Sequence, residues 1–120
     1  MEEIKDWNIA DRRHVYWEQI KKEFPKFKMK AVCRYAGIAY ATYRGALWKS
    51  YAPREETVEA LMVAIEHIKH MPLEQAREYV NMSKASKEVH ITYGRIANWA
   101  QGKGRLSDRN KQRIRDWLNS

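Results

Sequence analysis

Three polar side chains stand in short segments where their hydrogen-bonding groups suit the edges of nucleic-acid bases. Arg44 belongs to a segment that begins with a turn at Gly37, and Asn98 and Gln101 belong to a second segment of the same kind. A guanidinium group can make two hydrogen bonds to guanine, and a carboxamide can make two to adenine. Each such pair contributes about 1–3 kcal/mol of discrimination against the wrong base. These residue types therefore favour base recognition over catalysis as the chemistry of both segments.

The residues around these three complete two candidate reading surfaces. In a helix-turn-helix, the residues just after the turn and those one helical turn further on project into the major groove. Tyr40 and Tyr93 have half-buried packing as an alternative role, and Trp48 suits a core as well as a contact. Gly94 permits close approach to DNA or avoids a clash within the protein. The candidate base-reading residues are Tyr40, Arg44, Trp48, Thr92, Tyr93, Asn98 and Gln101.

Positive charge gathers around both segments and avoids the stretch between them. The 120-residue chain has a formal net charge of +8, which favours an acidic partner, nucleic acid before an anionic membrane. Residues 26–54 hold seven basic residues and no acidic one, and residues 95–115 hold seven against Asp108 alone. Residues 55–66 hold four glutamates and no lysine or arginine. The candidate phosphate-binding residues are Lys28, Lys30, Arg34, Lys49, Arg95, Lys103 and Arg105.

Apolar residues three and four apart predict an all-α chain of about eight helices, with no segment that alternates long enough to form a strand. Asp11 and Ser107 are expected to cap the first and last helices, and Pro25 to stop the first. The predicted helices cover residues 11–24, 29–36, 40–49, 83–89 and 92–101, with one more after each of Pro53, Pro72 and Ser107. The side chains expected to face inward are those of Trp17, Ile20, Phe24, Val32, Tyr35, Ala36, Val58, Leu61, Met62, Ile65, Ile68, Leu73, Ala76, Val80, Ile96, Ile114, Trp117 and Leu118.

A shift of about 53 residues relates the two halves of the chain in the character of their positions. We favour a tandem repeat as the explanation. The alternative is that two helical hairpins have converged on the same pattern. The predicted domains are residues 1–70 and 71–120, each with one helix-turn-helix. Residues 69–72 are too short and too poor in Gly and Ser for a flexible tether, so the halves are expected to share a core through helix 58–68. Equivalent positions include Cys33 with Ser86, Gly37 with His90, Ile38 with Ile91, Tyr40 with Tyr93, and Tyr43 with Ile96.

The segment SKEVHITYGRIANWAQGKGRLS, residues 86–107, resembles lambda-repressor-like (Cro/C1-type) helix-turn-helix domains. In that family a small residue lets two helices cross closely, an apolar residue follows the turn, and the recognition helix ends in an aromatic-x-x-Gly-Lys loop. Residues 33–53 resemble a looser member, with Gly45 inside the recognition helix and 48–53 in place of that loop. His90 stands where the family usually has glycine, and histidine is among the residues enriched in the left-handed conformation. The resemblance implies a DNA-binding regulator with two such units in one chain.

Other chemistry has little support in the sequence. The single cysteine excludes an internal disulfide and a multi-cysteine zinc site. No apolar run reaches the length of a membrane span, and the sequence shows no charged-then-apolar leader, so we expect neither a membrane span nor a signal peptide. His67 and His70 lack further ligands for a metal, and Gly102 and Gly104 lack the strand that a nucleotide loop requires. We therefore expect no enzyme activity, no metal and no cofactor.

These observations favour a sequence-specific transcription regulator, such as a repressor of bacterial, phage or plasmid type, that binds double-stranded DNA. Its expected location is the cytoplasm, in association with the nucleoid. One alternative is an architectural accessory of DNA packaging or recombination. Another is a protein-binding inhibitor or antitoxin built on a helix-turn-helix fold, and a homodimer or a protein partner is compatible with either. Lys103, between two glycines, is also expected to offer backbone N–H groups to a phosphate, with an ordinary solvated loop as the alternative.

Overall fold

The computed structural model of the chain describes residues 9–49 and 52–120, and these residues form eight α-helices and no strand. The predicted all-α class is confirmed. Two 3-10 turns, Phe24–Lys26 and Arg77–Tyr79, precede α2 and α6. Ser50 and Tyr51, part of the segment compared above with the family's loop, lie outside the described residues. The helices are α1 (Ile9–Lys21), α2 (Met29–Ala36), α3 (Tyr40–Lys49), α4 (Glu55–His70), α5 (Leu73–Ala76), α6 (Met82–Val89), α7 (Tyr93–Ala100) and α8 (Asp108–Leu118).

The starts of the elements repeat along the chain with a constant offset. In each of the pairs α2 and α6, α3 and α7, and α4 and α8, the first residues are 53 positions apart. The two 3-10 turns also begin 53 positions apart, at Phe24 and Arg77. The shift that the sequence predicts from residue character is therefore present in the secondary structure.

The first helix differs from its prediction at both ends. It begins at Ile9, so Asp11 lies inside α1, and the prediction of Asp11 as its N-cap is wrong. It ends at Lys21 and not near residue 24. Proline removes a backbone donor, and its ring clashes with the carbonyl four residues earlier, which for Pro25 is that of Lys21. The chain therefore leaves the α-helix there and passes Pro25 in a 3-10 turn.

Several further expectations need correction. Tyr35 is 43% exposed, because it lies to one side of the buried stripe of α2. Trp117, Met62 and Ala36 are only half-buried. The indole N–H of Trp117 donates to Glu88 Oε2 at 3.1 Å, which gives this polar group a partner at the surface. The segment after Pro72 is a single α-turn followed by a 3-10 turn, although its predicted stripe is buried.

The chain divides into two compact units. The first holds the residues up to Phe24 together with Met29–Ile65, and the second holds Pro25–Lys28 together with Glu66–Ser120. The boundary between Ile65 and Glu66 falls inside α4, so this helix contributes residues to both units. The predicted domain boundary after residue 70 and the predicted shared core stay predictions.

Aromatic side chains build the core of the first unit. Trp17 is fully buried, and its ring meets that of Phe24 edge to face, with centroids 5.5 Å apart. Phe24 meets Tyr43 of α3 in the same way at 5.2 Å. Such pairs add about 0.5–1.5 kcal/mol beyond the area that they bury. Burial raises the pKa of Tyr43 to about 12, so its hydroxyl stays protonated at neutral pH.

The second unit is built on α6, which packs against both α7 and α8. Ile96 of α7 and Ile114 and Leu118 of α8 have no exposed surface. The prediction that Ser107 caps α8 is confirmed, because its hydroxyl accepts a hydrogen bond from the Asn110 N–H at 3.2 Å. The last helix is thus fixed at its start by a cap and along its length by apolar packing.

A short antiparallel bridge, made inside the second unit, pairs Phe27 with Val80. The Lys28 N–H donates to the Tyr79 carbonyl at 2.7 Å, and the Asn81 N–H donates to the Lys26 carbonyl at 2.9 Å. Phe27 and Val80 are 53 residues apart, so they occupy equivalent positions in the two copies of the repeat. The bridge fixes Lys28 beside the start of α6.

Three arginines close the C-terminal ends of helices in the second unit. Arg115 donates to the carbonyl oxygens of Lys69 and Met71, at 3.0 and 2.9 Å, where α4 ends. Arg113 donates to the last carbonyl of α6, and Arg77 donates to a carbonyl in the last turn of α7. The final carbonyls of a helix have no partner within it, so these guanidinium groups satisfy them.

Candidate nucleic-acid interface

The turn between α2 and α3 ends the first helix with a left-handed residue. Gly37 has a φ of 75°, and its N–H donates to the Arg34 carbonyl at 3.2 Å. The N–H of Ile38 donates to the Cys33 carbonyl at 2.9 Å. These two bonds form the Schellman motif, which requires a residue that tolerates positive φ. Cys33 is buried, as expected for a small residue near the turn, and its burial raises the pKa of the thiol.

The turn between α6 and α7 reaches a similar form with different residues. His90 adopts the left-handed conformation, with a φ of 57°, as predicted for its place in the repeat. The Ser86 hydroxyl donates to the carbonyl of buried Ile91 at 2.6 Å, which ties α6 to the chain beyond the turn. Thr92 precedes α7 and is exposed, and its side chain makes no capping hydrogen bond. Thr92 therefore presents its hydroxyl to solvent at the start of the candidate recognition helix.

On α3, the guanidinium group of Arg44 lies over an aromatic ring. Its central carbon is 5.9 Å from the centroid of Tyr40, and Tyr40 stacks on buried Tyr43 at 5.7 Å. Tyr40 is half-buried, so it supports Arg44 while leaving part of its own ring open. Trp48, one helical turn beyond Arg44, is 88% exposed, which rules out the core role considered for it.

A groove of about 220 Å³ runs between α7 and the start of α6. It brings together three residues that the sequence predicts as DNA contacts: Lys28, Tyr93 and Gln101. Asn81 and Ser83 also line this groove, and neither is among the residues that the sequence predicts as DNA contacts. One feature of the sequence could have pointed to Asn81: asparagine is a favoured residue immediately before a helix. Its side chain caps α6 by accepting a hydrogen bond from the Lys84 N–H at 3.1 Å.

Asn98 lies beside the loop that follows α7 and not in the groove. Gly102, with a φ of 77°, ends the helix in a second Schellman motif, in which the Lys103 N–H donates to the Asn98 carbonyl at 2.8 Å. The Lys103 N–H is therefore used within the protein, and of this loop only other N–H groups could be offered to a phosphate. A Cβ on Gly104 would stand 3.3 Å from the Asn98 Cβ, so glycine lets the loop pack closely here. The side chains of Asn98 and Lys103 are both exposed.

The basic stretches contain two kinds of residue. All seven predicted phosphate-binding side chains are exposed, and so are Arg44, Thr92, Tyr93, Asn98 and Gln101. Arg113 and Arg115, by contrast, bind carbonyl oxygens, and Lys111 forms an ion pair with Glu74 at 2.8 Å. The hydrogen bond from Lys111 lowers the pKa of that carboxyl. Part of the charge in residues 95–115 thus serves the fold, which the linear pattern does not reveal.

Gly45 and Gly94 have no visible structural reason to be glycine. Both lie within helices, neither has a positive φ, and a Cβ added at either would meet no atom within 4 Å. Glycine inside a helix costs about 1 kcal/mol relative to alanine. The open space above both glycines leaves room for a close approach from outside the protein.

We expect Gly45→Ala to raise stability and to weaken DNA binding. Alanine in the middle of α3 should add up to about 1 kcal/mol to the free energy of unfolding, because it restricts the unfolded chain and meets no neighbour. The new methyl group should reduce affinity for the preferred duplex. Urea denaturation and fluorescence anisotropy measure the two effects. A variant that gained stability and bound DNA as well as the wild type would show that nothing approaches Gly45 closely.

Two other kinds of site find no support in the described part of the chain. No group of three or more His, Cys, Asp or Glu side chains there could hold a metal ion. Each described helix is too short or too polar to cross a bilayer. His70 instead bonds Glu66 through Nε2 and Oε1 at 2.8 Å. No family model, no curated protein and no solved structure matches this chain.

Proposed function

We propose that this protein is a sequence-specific regulator of transcription that binds double-stranded DNA through two helix-turn-helix units. One observation carries the proposal: each unit has a helix, a left-handed turn and a second helix whose polar side chains are exposed beside exposed cations. This combination supplies hydrogen-bonding groups for bases and positive charge for phosphates on the same element.

In this proposal the two units use different means of recognition. In the first, Arg44 is held over Tyr40 and is suited to guanine. In the second, Asn98 and Gln101 are suited to adenine, and Lys28 at the groove is suited to a phosphate. A cationic side chain that is already held in place before binding loses less rotamer freedom when it contacts DNA, so its contact costs less entropy. The division assigns a guanine contact to the first half-site and an adenine contact to the second.

Two units in one chain contact two half-sites without a second copy. We therefore expect a target with two unlike halves, because Arg44 has no counterpart of its type at the equivalent Ala97. A repressor or an activator of bacterial, phage or plasmid type fits this arrangement, with the nucleoid as its location.

Selection of bound sequences from random duplexes, run at two salt concentrations, tests the proposal. We expect one non-palindromic sequence to be enriched at both concentrations. The logarithm of the binding constant should fall with the logarithm of salt with a slope of about −6, if all seven proposed cations neutralise a phosphate. Binding without enrichment would favour an architectural role. An absence of DNA binding would favour a protein partner.

A further inference from the structure

A second groove, of about 650 Å³, lies within the first unit. We call it the cationic groove. Its volume falls within the usual range of small-molecule sites. Its polar and charged lining comes from α1, from α3 and from the start of α4: Arg13, Thr42, Lys49, Arg54 and Thr57.

The charged residues among the described lining of this groove are all cationic. Three lining side chains are cationic, two carry hydroxyl groups, and none of the described lining residues is a carboxylate. Cations that converge from separate elements on a concave surface focus a positive potential there. Guanidinium, ammonium and hydroxyl groups together are the donors that a phosphate group accepts from.

Arg13 provides an independent indication. Its Nε is buried and has no hydrogen-bond partner in the described structure. Buried donors in folded proteins nearly always have a partner, so an orphaned one calls for an explanation. An anion bound by the Arg13 guanidinium group would give Nε an acceptor once the side chain turned towards the groove.

The floor of the groove is made of small residues. Ala46 and Ala52 are buried beneath it, and Gly45 leaves open space because it has no side chain. This shape lets a tetrahedral group approach the backbone of α3 closely. The small residues of the floor therefore leave space for a ligand next to the cationic side chains.

We infer that the cationic groove binds a phosphate group. Its source is either a backbone phosphate of DNA or a small phosphorylated compound, since both present the same oxygens. The DNA source rests on the proposed function, and the small-molecule source does not. Neither Arg13 nor Arg54 belongs to the predicted phosphate-binding set.

Titration with inorganic pyrophosphate, followed by amide NMR, tests the inference without DNA. We expect saturable shifts confined to the groove, at Gly45, Ala52 and Thr57. Arg54→Gln should weaken this binding about tenfold or more, because it removes a charge-assisted contact and keeps a similar size. Arg109 is an exposed residue of α8 outside the groove, so Arg109→Gln removes the same charge and should have no effect on pyrophosphate binding. Arg13→Gln serves as a second groove variant.

Duplex affinity of the same variants identifies the source of the phosphate. If Arg54→Gln binds DNA more weakly than Arg109→Gln, the groove holds a DNA phosphate, whether or not pyrophosphate binds. If only pyrophosphate binding falls, the ligand is a small phosphorylated compound. If neither measurement distinguishes Arg54→Gln from Arg109→Gln, the inference is overturned. A wild-type protein that bound pyrophosphate and no DNA would contradict the proposed function alone.

Discussion

Replacing Ile96 with alanine should lower the free energy of unfolding by about 2–5 kcal/mol. Ile96 has no exposed surface and lies on α7, which packs against α6 in the core of the second unit. The substitution removes three carbon atoms and leaves a cavity that a closely packed interior fills only in part. Urea denaturation followed by circular dichroism measures the loss.

The adjacent residue provides the control for this prediction. Arg95 is exposed, so Arg95→Ala should change stability by no more than about 0.5 kcal/mol. DNA affinity should respond in the opposite order. At a temperature where both variants are folded, Ile96→Ala should bind DNA nearly as well as the wild type, and Arg95→Ala should bind more weakly. A loss of stability below about 1 kcal/mol for Ile96→Ala would contradict its place in the core.

Asn98→Ala and Lys103→Ala should affect DNA binding in different ways, although the two residues are neighbours in space. Asn98→Ala should cost about 1–3 kcal/mol on the preferred sequence and almost nothing on random DNA, because it removes a base contact. Lys103→Ala should weaken both and reduce the magnitude of the salt slope by about 0.9. Binding to preferred and random duplexes over a range of salt concentrations separates the two effects.

The local structure makes this pair well matched. Alanine at position 98 keeps the Cβ next to Gly104, and neither change removes the hydrogen bond from the Lys103 N–H to the Asn98 carbonyl. The loop should therefore keep its form in both variants. If Asn98→Ala and Lys103→Ala changed DNA binding in the same way, base recognition by Asn98 would be excluded. Arg44→Ala and Gln101→Ala are expected to behave like Asn98→Ala and to affect mainly the preferred sequence. Lys30→Ala and Arg105→Ala are expected to behave like Lys103→Ala and to weaken binding to all DNA.

The helices were predictable where local chemistry fixes them. The bounds of α2 and α3 follow from apolar spacing and from Gly37, and the cap at Ser107 follows from its side chain. The end of α1 was predictable too, from the clash of Pro25 with the carbonyl of Lys21. Capping and apolar spacing alone predict a helix that runs up to the proline, near residue 24.

Other features depend on contacts between residues far apart in the chain. Arg115 binds carbonyls 44 and 46 positions away, and nothing in the spacing distinguishes it from an arginine on the surface. Arg13 and Arg54 meet at one groove from separate elements, so no short motif contains both. Arg44, Asn98 and Gln101 are exposed, as expected of side chains that project into a groove, whereas Tyr40 is half-buried. Their joint use in binding stays a prediction.

The bridge between Phe27 and Val80 has a consequence for how the protein responds to dilution. A contact between identical repeat positions has the self-complementary form that otherwise joins two copies of a chain about a two-fold axis. In such a pair, stability would depend on protein concentration. Here both partners belong to one polypeptide and lie within one unit, so the chain itself sets their effective concentration. This pairing is therefore unimolecular, and lowering the concentration of the protein does not weaken it.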